Sequence, residues 1–507
     1  MTIAAPRADE RARYREDPSV WKVLRSPRLL VREALAGLVV AIALIPEAIS
    51  FSIIAGVDPR VGLFSSFVMA MAIAVVGGRP AMITAATAAV AVVIAPVARE
   101  HGIDHLVATV ILGGLFQVLL AWFGVAKLMR FIPRSVMVGF VNSLAILIFV
   151  AQVPHLIDVP WPVYVLVAGG LGLLVLTPKV TKVVPAPLVS IALVTAVVVV
   201  FALQVPTVGD EGELPDALPT LGLPDVPFTW ETFRLLAPYA LAMALVGLME
   251  SLMTAKLVDE ITDTHSRKTR EAWGQGVANV LSGLFGGMGG CAMIGQTMIN
   301  VKASGARSRV STFAAGLFLL ILVVGLGDLV GAIPMAALVA VMIMVSVGTF
   351  DWHSIRPATL RRLPRSESLV MVATVAIVLV TQNLAIGVVA GVFIAAVLFV
   401  RRVAHFATVT RTVVDGADGP VAHYRVDGEL LFASSNDLTT QFEYAEDPER
   451  VVVDLSASHI WDVSTVATLD AIVTKYAQHG KTVTFEGMNA ATARFHGRLS
   501  GNLTPLA

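Results

Sequence analysis

The sequence predicts an all-α polytopic membrane domain followed by a small α/β domain. Three observations predict it. The chain has 507 residues, of which 56% are hydrophobic and only 15% charged, against roughly 25% charged in soluble domains. Its mean hydropathy is +0.78, and apolar runs of roughly 20 residues, the length that crosses a bilayer as a helix, recur as far as residue 402. Beyond residue 405 strand-like and helix-like patterns alternate instead. The formal net charge is zero, so nothing points to nucleic acid. The chain has one cysteine, Cys291, which makes neither an internal disulfide nor a zinc cluster. It reads as a small residue at a tight packing point.

Residues 1–29 are polar and mixed in charge, with Arg7, Arg11, Arg13, Arg15, Lys22 and Arg25. They read as a cytoplasmic segment without a signal peptide. The first span, 30–54, ends in Ile45-Pro46-Glu47-Ala48-Ile49-Ser50-Phe51. A turn at Asp58-Pro59-Arg60 leads into a second span over 61–77. Next comes a break, Gly77-Gly78-Arg79-Pro80-Ala81-Met82-Ile83, followed by Thr84-Ala85-Ala86-Thr87. A half-helix is expected from 81, in a run reaching Pro96. Spans follow near 105–125, 133–153, 161–178 and 187–206. A loop rich in proline and acid then carries Asp210, Glu211, Glu213 and Asp216. Spans near 233–258 and 270–288 come next. A second break, Gly289-Gly290-Cys291-Ala292-Met293-Ile294 then Gly295-Gln296-Thr297, opens a half-helix near 292–302. The last spans lie near 310–330, 334–350, 366–382 and 384–402.

These segments total fourteen, two sets of seven, with repeats at about 30–206 and 233–403. Lys and Arg concentrate in short cytoplasmic loops. With the N-terminus inside, every even-numbered segment ends inside. Lys127, Arg130 and Arg134 follow the fourth, Lys179 and Lys182 the sixth, and Arg267, Lys268 and Arg270 the eighth. Lys302, Arg307 and Arg309 follow the tenth, Arg356, Arg361, Arg362 and Arg365 the twelfth, and Arg401 and Arg402 the fourteenth. The acidic loop falls outside. An odd number of segments per repeat makes the second repeat inverted, an architecture that builds sites where the repeats meet.

The tail, 404–507, reads as a cytoplasmic α/β domain. Residues Tyr424-Arg425-Val426 to Leu431-Phe432 alternate as a hairpin around Asp427-Gly428. Val451-Val452-Val453-Asp454-Leu455 is a buried strand, and Val466, Leu469, Ile472, Val473 and Tyr476 give residues 464–479 a helical face. Thr482–Phe485 is a further strand and 490–499 a short helix.

Two acids stand inside apolar helices, Glu47 before the first break and Glu250 before the second. An acid there costs roughly 2.5–3.5 kcal/mol on insertion scales, so such residues mark ion or proton paths. The breaks offer a complementary feature. A helix N-terminus carries unpaired N–H groups and partial positive charge, and two such ends near the midplane make an anion site without any cation. Ala85, Ala86 and Gly295 let the backbone approach a ligand, and Thr87, Gln296 and Thr297 add neutral hydrogen bonds. The bland alternative is that these small residues serve helix packing. No Lys or Arg lies inside the proposed binding segments; Arg79 precedes the first and Lys302 ends the second. A carboxylate beside a bound anion repels it unless neutralised. A proton is one answer; sodium beside Glu250 and Thr254, one turn apart on one helix face, is the other. The sequence has no metal-ligand cluster, no nucleophile–base pair and no phosphate loop, so it reads as neither an enzyme nor a cofactor protein.

These residues resemble the SulP / solute carrier 26 family of anion transporters over nearly the whole chain. Ala36-Gly37-Leu38 through Ile45-Pro46-Glu47-Ala48, and Gly56-Val57-Asp58-Pro59-Arg60-Val61-Gly62-Leu63, look like its opening motif. Gly247-Leu248-Met249-Glu250-Ser251 and Gln275-Gly276-Val277-Ala278-Asn279 are similar to its eighth and ninth helices. Asp454-Leu455-Ser456 and Asp462-Val463-Ser464-Thr465 look like its C-terminal STAS domain. The resemblance implies a 7+7 inverted repeat with a UraA-like core and gate, elevator-like alternating access, a homodimer in the cytoplasmic membrane, and a regulatory or assembly role for the STAS domain. It assigns substrate contact to Glu47, Phe51, Thr87, Gly295 and Gln296. Glu47 stands where many members carry Gln, and Gln296 where many carry Arg. Losing that Arg while gaining an acid favours proton-coupled symport of a dicarboxylate such as fumarate over an uncoupled channel. Bicarbonate relatives place sodium at positions matching Glu250 and Thr254, with Asp in place of Glu; sodium- or proton-coupled bicarbonate or sulfate transport is the alternative. Ser464 matches a position phosphorylated in soluble regulatory relatives, although capping of the next helix by Asp462 or Ser464 is the plainer reading.

Overall fold

The computed structural model describes residues 18–127, 132–180, 185–214, 218–325, 327–404, 408–416, 419–432, 434 and 438–501. Arg7, Arg11, Arg13, Arg15, Arg130, Lys182 and Asp216 lie outside the described residues. The chain divides into two units, Met1–Val392 and Phe393–Ala507.

The first unit is mostly helical. It runs α1 Val20–Leu24, α2 Pro27–Ala55, α3 Pro59–Val76, β1 Thr84–Ala85, α4 Ala88–His101, α5 Ile103–Trp122, α6 Arg134–Val150, α7 Trp161–Val180 and α8 Ala186–Val200. After the acidic loop come α9 Trp230–Thr262, α10 Lys268–Leu284, β2 Cys291–Ala292, α11 Ile294–Met298, α12 Arg309–Gly325, α13 Gly327–Gly331, α14 Met335–Thr349, α15 Pro357–Arg362, α16 Arg365–Thr381 and α17 Leu384–Ala404, whose residues from Phe393 on belong to the second unit. Among the described residues seven helices are long and apolar enough to cross a membrane, and α8, α12 and α14 are shorter apolar helices. Several are apolar all round yet only partly buried. On α8, for example, Leu193, Val199 and Val200 are exposed. A helix apolar on its outer face needs lipid there, which makes this a polytopic membrane unit.

The helices form two packed groups. In one, α5 and α9 pack with α10, while α2, α3 and α12 pack together and α3 packs onto α10. Close approach is set by small residues: a Cβ on Gly114 of α5 would lie 2.6 Å from the Gly276 carbonyl oxygen of α10, and one on Gly276 would lie 2.5 Å from that of Gly114. In the other group α6 packs on α16 and α14, and α14 on α7 and α8.

Both breaks are there, but the first differs from expectation. Thr84–Ala85 form a short strand flanked by non-helical residues, and the half-helix begins at Ala88, not at 81. Pro80 offers no N–H, Ala81 takes a φ of 61°, and Thr84–Ala85 pair antiparallel with the second break, Thr84 opposite Ala292 and Ala85 opposite Cys291. The Met293 N–H donates to the Ile83 carbonyl at 2.9 Å. These cross-links satisfy buried backbone groups that a helix would have satisfied internally. Thr87 then caps α4, its hydroxyl oxygen accepting from the Val90 N–H at 3.4 Å. The second half-helix is α11 continued by a π turn over Ile299–Ala303.

The second unit carries a four-stranded sheet in the order β3 Thr408–Gly416, β4 Gly419–Leu430, β5 Arg450–Ile460, β6 Thr482–Glu486. β3 and β4 are antiparallel, and the pairs β4/β5 and β5/β6 are parallel. α18 Val463–Gln478 links β5 to β6, and α19 Ala490–Leu499 follows. The hairpin expected around Asp427-Gly428 does not form. β4 continues through both residues with a register shift between Arg425 and Asp427. Tyr424, Val426 and Leu430 on either side are fully buried, so a turn there would pull core residues out. The antiparallel partner of β4 is β3, with Gly416 opposite Gly419.

Candidate functional site

The two breaks are held from one side by α10. Glu271, Gln275, Asn279 and Ser282 are fully buried and fall on one helix face at spacings of four, four and three. The Glu271 carboxylate accepts the N–H groups of Gly78 at 2.6 Å and Arg79 at 2.9 Å. The Gln275 amide donates to Glu271 and to the Thr84 hydroxyl, both at 2.9 Å. Asn279 brackets Gly290: its Oδ1 accepts the Gly290 N–H at 2.8 Å and its Nδ2 donates to the Gly290 carbonyl at 3.1 Å. Ser282 accepts the Gly289 N–H at 3.3 Å. From α9, the Ser251 hydroxyl accepts the Ala292 N–H at 3.0 Å. Sequence reading missed Glu271 as a buried acid; the polar stripe at helical spacing was its signal.

In front of the breaks lies a cavity of about 510 Å³. Its walls include Glu47 and Phe51 from α2, Thr87 and Ala88 at the start of α4, and Glu250 and Met253 from α9. Met293 and Gly295 come from the second break, Phe140 from α6, and Val345 and Thr349 from α14. The cavity thus sits between the two helix groups. Its lining has no Lys, Arg or His among the described residues; the only charged side chains are two carboxylates. Buried Arg79 is turned to Asp259 at 3.3 Å and to the Thr262 and Thr264 hydroxyls at 2.7 Å each. A separate crevice of about 370 Å³ between α9 and α17, lined by Leu245, Met249 and Val389 among others, is apolar and offers an ion nothing.

Five of the expected residues, Glu47, Phe51, Thr87, Gly295 and Glu250, share this cavity. Gln296 is buried beside it and donates from Nε2 to Glu47 Oε1 at 2.9 Å. Two hydroxyls serve backbone. Thr297 Oγ1 accepts the Ile83 N–H at 3.0 Å, and Thr254 Oγ1 donates to the Glu250 backbone carbonyl at 2.8 Å. Cys291 does more than fill space: its Sγ donates to Glu250 Oε2 at 2.9 Å and lies 3.1 Å from Thr87 Oγ1. Nothing local in the sequence indicates that.

In the second unit Asp462 caps α18, with Oδ1 accepting from the Thr465 N–H and hydroxyl, both at 2.9 Å. Ser464 is exposed in the first turn. Asp447 is buried and accepts from the Tyr424 hydroxyl at 2.6 Å, from Tyr476, and from Arg411 at 2.7 Å. Burial, then the neighbouring Tyr424, pushes the Tyr444 phenol up to about 12. The N–H of Ser456 holds the Asp454 carboxyl below the usual range.

Comparison with known proteins agrees with this architecture. The model of the sulfate permease family matches residues 30–167 and 155–374, and that of the STAS domain matches 412–499. YbaR of Bacillus subtilis (strain 168), a proposed sulfate transporter, is 50% identical over 461 residues, covering 91% of this chain and 95% of YbaR. The bicarbonate transporter BicA of Picosynechococcus sp. is 25% identical over 489 residues, covering 86% and 85%. Among solved structures, the transmembrane domain of a cyanobacterial BicA aligns with a TM-score of 0.63 at 24% identity, covering 73% of this chain and 98% of that one. The murine Solute Carrier 26 member A9 anion transporter in its inward-facing state aligns with a TM-score of 0.80 at 15% identity, covering 96% and 88%. The chain belongs to the sulfate permease family and carries a C-terminal STAS domain.

Proposed function

We propose that this member of the sulfate permease family is a secondary active transporter of a small anion in the cytoplasmic membrane, driven by proton symport. The observation that carries the reading is the cavity. Its polar wall combines the capped N-terminus of α4 and the start of the second half-helix with two carboxylates and no cation. The peptide N–H groups and dipole of α4 hold the anion. Glu250 takes the coupling proton, and Glu47, held by Gln296, is the second acid facing the substrate. Without a proton the two acids would repel the ligand in a low-dielectric site.

Fourteen segments in a 7+7 inverted repeat, with both termini cytoplasmic, complete the proposal. The antiparallel pairing of the two breaks supports the inversion. The helix groups on either side of the cavity would act as core and gate in an elevator-like cycle, as a homodimer, with the STAS domain regulatory. We take a dicarboxylate such as fumarate as substrate, for which the cavity has room. The names of the relatives favour a second reading, sulfate or bicarbonate, with proton or sodium as the coupling ion.

Uptake of labelled fumarate, sulfate and bicarbonate into proteoliposomes, each under separate proton and sodium gradients, tests these readings together. Proton-driven accumulation of fumarate that is lost in Glu250→Gln is the expected result. Uptake indifferent to an imposed pH gradient, or a Glu250→Gln variant driven as well as the wild type, overturns the coupling.

A further inference from the structure

The thiol of Cys291 stands between the helix that caps the anion site and the acid assigned to the proton. Sγ is 2.9 Å from Glu250 Oε2 and 3.1 Å from Thr87 Oγ1, and all three side chains are buried. The ends of this chain fix its polarity. An ionised carboxylate only accepts, so the S–H points at Glu250. The sulfur is then left as an acceptor for the Thr87 hydroxyl. The Thr87 oxygen in turn takes the Val90 N–H at the start of α4. With Glu250 ionised, the one proton of Thr87 is therefore turned away from the cavity that Thr87 lines.

A proton arriving from water at Glu250 Oε2 reverses the order. The carboxyl O–H now donates to Sγ, the S–H turns to Thr87 Oγ1, and the Thr87 O–H is released toward the cavity. The O–H bond formed on Glu250 is matched by the one broken in the hydronium ion that delivers the proton, which leaves as water; within the relay no covalent bond changes. We infer that Thr87, Cys291 and Glu250 form a coupling relay in which Cys291 is the positioning residue. The relay presents a hydroxyl donor to the anion only while Glu250 carries its proton. This rests on the proton-symport reading and supplies its missing step, the way a proton at Glu250 becomes affinity at the anion site.

Few other titratable groups intrude. Glu47 on α2 faces the same cavity from across it and is paired with Gln296. Glu271 on α10 is engaged by Gly78 and Arg79, and Asp259 on α9 by Arg79. Arg99, Glu100 and His101 on α4 lie about three turns along the helix from Thr87. Asp104 and His105 on α5 lie about three turns from Gln117, whose Oε1 accepts from Asn279 beside the second break.

The test measures KM for the labelled anion that the wild type accumulates best, in proteoliposomes, at acidic and alkaline external pH. One hydrogen bond to a charged ligand is worth about tenfold in affinity, so the wild-type KM falls about tenfold on acidification. In Cys291→Ala the acidic KM rises to the alkaline value. In Cys291→Ser, which keeps a donor and an acceptor at this position, most of the fall returns. Thr87→Val breaks the relay one atom further on, loses the fall as well, and stands in should the alanine variant not fold. A Cys291→Ala protein whose KM still falls tenfold overturns the relay and leaves proton symport standing. A wild type indifferent to the pH gradient overturns both.

Discussion

A methyl group at Gly290 would separate the two breaks, and one at Gly295 would only narrow the cavity. A Cβ built on Gly290 lies 1.9 Å from the Ala85 carbonyl oxygen and 2.6 Å from its carbon. Ordinary C···O contact begins at about 3.3 Å, so the segments must part by about 1.4 Å. The bonds that hold them, Met293 N–H to the Ile83 carbonyl at 2.9 Å and Ile83 N–H to Thr297 Oγ1 at 3.0 Å, do not survive that displacement. Each buried group left unpaired costs about 1–3 kcal/mol, so Gly290→Ala loses about 2–6 kcal/mol. Gly295 is helical, and a Cβ there meets nothing within 4 Å. Gly295→Ala therefore folds, with a small gain in helix propensity, while its methyl group narrows the cavity that Gly295 lines and, if that cavity is the proposed anion site, raises KM by about tenfold, the worth of one hydrogen bond to a charged ligand. Size-exclusion profiles after a heating series report stability in detergent, and proteoliposome uptake reports KM. A Gly290→Ala protein that melts with the wild type would show that the breaks do not depend on this close approach. A Gly295→Ala protein with unaltered KM would remove the second half-helix from the substrate site.

Two further predictions concern the scaffold and the second unit. Asn279→Ala strips the bracket from Gly290 and leaves its N–H buried without an acceptor, so the melting temperature falls by the equivalent of about 1–3 kcal/mol; an unchanged melting curve would assign Asn279 no such role. The Tyr444 phenol, raised to about 12 from an ordinary 10, contributes stability that is fully present below pH 10 and is lost as pH climbs from 10 to 12, because the native state holds that proton the longer. A tyrosinate difference spectrum between wild type and Tyr444→Phe should have its midpoint near 12, and a midpoint near 10 would contradict the burial.

What the sequence made legible was carried by one-dimensional regularities. Apolar runs located the helices, and the Gly-Gly echo marked both breaks. Two acids in apolar surroundings, Glu47 and Glu250, marked the wall of the cavity, and both line it. The features it hid are those created by pairing. Residues 81–86 have the composition of a helix start, and pairing with a strand far along the chain is what holds Thr84–Ala85 extended. Asp427-Gly428 has the chemistry of a turn, and only the parallel partner β5 keeps the strand running. Cys291 looked like filler because its partners are 41 and 204 positions away. Glu271 escaped notice because it stands near a helix start, where acids are ordinary, and only the fold reveals that it receives the amides of another segment.

The two acids differ in what they touch, and under the proposed proton symport that difference separates their roles. Glu47 meets a primary amide, a group with both donor and acceptor atoms. The amide oxygen of Gln296 is buried and has no partner among the described residues. Rotation of that amide gives Glu47 a partner in either protonation state, so a proton at Glu47 is absorbed locally and changes nothing further away. Glu250 meets a thiol whose other hydrogen-bond neighbour among the described residues is the cap of α4. No rotation of its partner can hide a proton there; the direction of every bond as far as Thr87 must reverse. A coupling acid has to transmit its state, and a substrate-facing acid has to tolerate both of its own. Exchanging the partners, with an amide at 291 and a thiol at 296, should therefore move the proton sensitivity of KM from Glu250 to Glu47.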